Sequence, residues 1–173
     1  YQYSTHFRFL KKQSVVSHSC LQQDSLLDAI GFDADDTLWH NERLFRMTQE
    51  KFRNILHEHA PKLVDKTLFD TERRNLQVFG YGIKGFILSM IETSIELTGG
   101  NITGREIEQI LEFGREMLAA PIELLKDSEE TLELVSQTHT LLLITKGDLF
   151  DQETKIARSG LADFFKHIEI VSE

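Results

Sequence analysis

Apolar residues recur along this chain in two periods. Leu27 to Phe32, Thr140 to Ile144 and His167 to Val171 are short apolar runs of strand length. Between the first two runs the spacing becomes helical. Phe45, Thr48, Phe52 and Ile55 make one stripe, Leu63 to Val78 carries a second helix, and Ile83, Phe86, Ile87, Met90, Ile91 and Ile95 mark a third. Thr103 with Glu106 has the spacing of a capping box and predicts the start of a fourth helix through Ile107, Ile110, Leu111 and Met117. Gly99-Gly100-Asn101 is the turn before it. After Pro121 helix and strand alternate: Ser128 is read as the cap of a helix to about Gln137, and Asp148 as the cap of another that stops at Gly160. This alternation predicts an α/β fold with neighbouring parallel strands, interrupted by an all-helical insertion. The expected division is 1–26 as an N-terminal extension or linker, 27–40 with 126–173 as the α/β core, and 41–125 as the helical unit.

The first apolar run ends in Asp33-Ala34-Asp35-Asp36-Thr37-Leu38. If the chain stays extended, a period of two sets Asp33 and Asp35 on one side. Such a pair repels itself unless a divalent cation intervenes or one member keeps a proton. A metal-held carboxylate can act as a nucleophile and a protonated one as a general acid. A solvated turn with Thr37 as a helix cap is the plainer alternative for a bare Asp-x-Asp. The second run ends in Thr145-Lys146-Gly147, also at the carboxyl end of a strand, where parallel sheets place their sites. Backbone N–H groups of Lys146 and Gly147 there offer donors to an anion.

The apolar run followed by Asp33, Asp35 and Thr37 resembles the first motif of the haloacid-dehalogenase-like hydrolases, most of which are Mg²⁺-dependent phosphatases. Asp36 replaces the Gly common at its place. Leu141 to Thr145 is similar to the second motif of that family. The resemblance implies a Rossmann-like parallel core with a helical cap at 41–125, Asp33 as nucleophile, and Asp35 as general acid and base. It implies Mg²⁺ at Asp33 and Asp35, and a substrate phosphate held by Thr145, Lys146 and Gly147. The substrate class implied is a small phosphorylated metabolite. Trp39, His40, Asn41 and the Gly-flanked segment Tyr81 to Phe86 are candidate pocket residues. In the family a Lys and an acidic pair follow the third strand. The chain ends at Glu173 before either, so an incomplete core with impaired activity, uncovered apolar surface and self-association are expected. Lys155 and Lys166 read as surface residues. Two rivals stand beside this reading: carbon–halogen cleavage on the same nucleophile, and a non-catalytic or partner-binding fragment. Asp35 argues against the first, because a departing halide needs no proton.

Composition narrows the partners. The 173 residues carry a net charge of -9 without a cluster of Lys and Arg, which argues against nucleic acid. One cysteine, Cys20, allows no internal disulfide and fits a reducing cytoplasm. No apolar run approaches the roughly 20 residues needed to span a bilayer, so no membrane association is expected.

Overall fold

The structure is a computed structural model and describes residues 28–171. The expected N-terminal extension, residues 1–26, lies outside them. Ten elements follow in order: β1 (Ala29–Phe32), α1 (Glu42–Ile55), α2 (Val64–Phe79), α3 (Ile83–Leu97), α4 (Gly104–Ala119), α5 (Ser128–Ser136), β2 (Thr140–Lys146), α6 (Leu149–Ser159), a 3₁₀ turn (Ala162–Phe164) and β3 (His167–Val171). The strands form one parallel sheet in the order β1-β2-β3. Phe32 lies beside Leu143, and Leu143 beside Ile168. The class is α/β, as the alternation of periods predicts.

Local chemistry explains most element ends. Thr103 accepts from the Glu106 N–H at 3.2 Å and Glu106 accepts from the Thr103 N–H at 2.8 Å, so the capping box forms as the spacing predicts. Asp148 caps α6 through the Asp151 N–H, and Gly160 ends it in the left-handed region. Ser128, in contrast, is not a cap. Asp127, with φ 65°, reverses the chain and precedes a helix in which Ser128 is already the first residue. β2 also runs two residues further than its apolar stretch, taking Thr145 and Lys146 into the sheet.

Two apolar clusters result. Phe52, Leu68, Phe86, Met90 and Ile110 centre one among the helices α1 to α4, and Trp39, Leu132, Leu141, Leu143 and Leu161 centre the other on one face of the sheet. The opposite face is open, with Gly31 and Ile144 exposed. β1 is therefore half-exposed rather than the buried strand its apolar run suggests. The two chain passages between the clusters run side by side: Trp39 and Leu124 make an antiparallel bridge, His40 donates to the Glu123 carbonyl at 2.9 Å and Leu125 to that of Leu38 at 2.9 Å. This ribbon is the only strand-like contact of residues 41–125 among those described.

Candidate active site

Asp33 directly follows β1, and its carboxylate reaches solvent while accepting the Ala34 N–H. Partial burial, first, and then the charges of Asp35 and Asp36 raise its pKa against the pull of the Ala34 N–H and Lys155. Ala34 is completely buried and anchors the loop between the two carboxylates. Asp36 adopts φ 56°, a left-handed conformation that glycine takes freely and aspartate tolerates better than most residues. This accounts for both Gly and Asp being acceptable there. Asp36 also accepts the Asn41 N–H at 2.9 Å and the Glu42 N–H at 3.0 Å, tying the loop after β1 to the N-terminus of α1.

Asp35 is held by three donors. The Trp39 indole donates at 2.7 Å, the Gln152 amide at 2.9 Å, and the Lys155 ammonium reaches the two carboxylate oxygens at 2.8 and 2.9 Å. The Lys155 side chain is 12% exposed and also reaches Asn41 Oδ1 at 3.3 Å and Asp151 Oδ2 at 3.5 Å. The surface position that helical context suggests for Lys155 is therefore incorrect. Asp148, Asp151, Gln152 and Lys155 are spaced i, i+3, i+4 and i+7, a polar stripe on α6 whose meaning depends on what it faces. Burial, followed by the charges of Asp35 and Asp148, pushes the Asp151 carboxyl upward, with Lys155 opposing.

The second strand end differs in detail from expectation. Thr145 shares a face of β2 with Leu141 and Leu143 and is 2% exposed, so it does not line the cleft. Its hydroxyl has no partner among the described residues. The Gly147 N–H donates to the Val171 carbonyl at 3.2 Å and is not available to an anion. Gly147 matters sterically instead: with φ 153°, a Cβ there would stand 2.8 Å from the Gln152 amide nitrogen. Lys146 does face the cleft, its ammonium 4.1 Å from the centre of the Tyr81 ring.

A cavity of about 300 Å³ separates α1 to α3 from the strand ends. Asp35, Lys146, Gly147, Gln152 and Lys155 form its floor, while Phe45, Phe69, Glu72, Arg73 and Tyr81 lie on the helical side. Asn41 and the Gly-flanked segment around Tyr81 thus reach the cavity. Trp39 does not: it is 1% exposed and acts from behind Asp35. His40 is exposed.

Mg²⁺ fits this set poorly. No three His, Cys, Asp or Glu side chains gather into a metal cluster among the described residues, and Lys155 occupies the Asp35 carboxylate. Asp33 remains as the side-chain oxygen donor, fewer than the several oxygens Mg²⁺ prefers.

A parallel sheet with carboxylates after its first strand, Asp35 facing a helical layer across a cavity and Asp33 exposed outside the cavity lining, defines an α/β protein with its candidate site at the strand ends. Among solved structures, a haloacid dehalogenase-like family hydrolase from Xanthomonas campestris is 45% identical, with TM-score 0.81, over 88% of this chain and 65% of that one. The chain belongs to the haloacid-dehalogenase-like superfamily. The magnesium-bound HAD-hydrolase YfnB from Bacillus subtilis (14% identity, TM-score 0.54, 83% of this chain and 63% of that one) shares the fold. So does the L-2-haloacid dehalogenase from Xanthobacter autotrophicus with chloropropionic acid covalently bound (14%, 0.52, 84% and 57%). This chain spans about two thirds or less of the length of these relatives. No family model and no curated protein sequence matches it. No helix among the described residues is long and apolar enough to cross a membrane.

Proposed function

We propose that the chain carries the nucleophile-bearing part of a phosphohydrolase that cleaves the phosphate monoester of a small metabolite. The supporting observation is Asp35, a second carboxyl two residues beyond Asp33, held at the floor of the cavity by three donors. Displacing an alkoxide from phosphorus requires a proton for the leaving oxygen, and displacing a halide does not. In this reading Asp33 attacks phosphorus, the bond from phosphorus to the leaving oxygen breaks as the aspartyl-phosphate forms, and Asp35, in its protonated state, gives its proton to the leaving oxygen. Asp35 then takes a proton from the water that hydrolyses the intermediate. Lys146 brings positive charge to the cavity, and the helical layer limits access of bulk water.

The test is phosphate release from p-nitrophenyl phosphate, measured beside chloride release from 2-chloropropionate. The 173 residues alone are expected to turn over slowly, so the assay also uses them continued by the C-terminal third of the Xanthomonas relative. Phosphate release that falls at least about 10³-fold in Asp33→Asn supports the reading. Chloride release that persists in Asp35→Asn assigns dehalogenation instead.

A further inference from the structure

Helix α6 does more than connect β2 to β3. Gln152 is 2% exposed, and its amide donates simultaneously to Asp35 Oδ2 at 2.9 Å and to the Lys146 carbonyl at 3.2 Å. One side chain thereby bridges the ends of β1 and β2. One turn further on, Lys155 spans both oxygens of the same carboxylate while its other neighbours, Asn41 and Asp151, hold the ammonium in place. A long, rotamer-rich lysine is thus held at four contacts in a nearly closed position. Gly147 leaves the space that Gln152 fills.

We propose that Gln152 and Lys155 are positioning residues that fix the direction of the Asp35 carboxylate and couple it to the Thr145–Gly147 strand end. The consequence for catalysis rests on the function proposed above; the positioning itself does not. Both residues line the cavity, and their polar atoms end on Asp35, Asn41, Lys146 and Asp151. They set the angle from which Asp35 serves the leaving oxygen and the attacking water, and a misplacement of about 1 Å at such a group costs up to roughly 10²-fold in rate.

Trp39 is the only tryptophan in the chain, and its indole N–H ends on Asp35. The indole resonance therefore reports the carboxylate without any activity assay. In the 173-residue chain, Lys155→Met should shift that resonance and raise indole hydrogen exchange about ten-fold or more, while the amides of β2 keep their protection. Lys155→Arg, which keeps the cation, should restore exchange to within about two-fold of the parent. Gln152→Leu supplies a second route if Lys155→Met fails to fold. Gly147→Ala, which displaces the Gln152 amide, should give the same indole signature. In the chain continued by the C-terminal third of the Xanthomonas relative, if it releases phosphate, Lys155→Met should lower kcat about 10- to 100-fold with KM within about two-fold. An indole signal unchanged in both Lys155→Met and Gln152→Leu overturns the proposal. Failure of the phosphohydrolase reading shows separately, as Asp33→Asn without effect on phosphate release.

Discussion

Glu72 on α2 carries a carboxyl that burial, and then the neighbouring charge of Glu42, push up to about 7. Below its ordinary 4.5 the folded and unfolded chains both hold the proton. Between 4.5 and about 7 the unfolded chain has released it and the folded chain has not, so stability falls as pH rises through this window. The loss is on the order of 2–3 kcal/mol and levels off above pH 7. Urea unfolding should therefore show the parent losing stability relative to Glu72→Gln between pH 5 and pH 8. Parallel curves for the two proteins would show that the helical wall of the cavity hydrates Glu72 well. At the same scale, Asp36 illustrates why a family pattern tolerates exceptions: the backbone requires φ 56°, and a carboxylate that reaches the first N–H groups of α1 compensates for the strain.

Among the elements, α6 has the widest reach. Gln152 and Lys155 engage the site, and one turn later Arg158 donates to the carbonyls of Leu118, Ala119 and Ala120 at 3.2, 3.2 and 3.0 Å, satisfying the end of α4. The contact of α3 with α4 depends on a small residue. A Cβ at Gly114 would lie 2.9 Å from Ile87 Cγ1, close to the root of a branched side chain that has little freedom to move. Gly114→Ala gains about 1 kcal/mol of helix propensity and meets an overpacking penalty of about 1–3 kcal/mol. The expected net effect is destabilisation of about 1 kcal/mol by thermal or urea unfolding. Adding Ile87→Ala should give a double variant that loses less than the sum of the two single changes.

Besides the linker ribbon and the Arg158 contacts with the end of α4, the helical layer meets the sheet side at the loop around Tyr81. Lys84 reaches the Asp148 carboxylate at 3.0 Å and lies over Phe150, and Tyr81 lies under Lys146. Burial works against an ionised Asp148, yet Lys84 and the Asp151 N–H prevail and lower its pKa. Lys84 is more than half exposed, so its ion pair contributes no more than about 1 kcal/mol. Lys84→Met should leave global unfolding nearly unchanged while hydrogen exchange in Ile83–Phe86 accelerates. A large fall in global stability would show instead that the sheet and the helical layer unfold as one unit through this loop.

Periodicity located three strands and the four helices between the first two, and cap residues marked the last two helices, because burying one face imposes a spacing and helix ends have local chemistry that survive in the chain. The neighbourhood of Asp33 and Asp35 was legible in part: two carboxylates two residues apart after an apolar run stay near each other, but only the loop beyond β1 decided that Asp35 lines the cavity and Asp33 does not. Interactions between distant segments had no such mark. Lys155 is 120 residues from Asp35, and a lysine on a helix carries no sign of whether it faces water or a carboxylate. The fates of Thr145 and of the Gly147 N–H depended on how far β2 continues and on what β3 offers beside it. Pairing register and helix docking decided them, and both are settled by the sum of many contacts rather than by any short stretch of sequence.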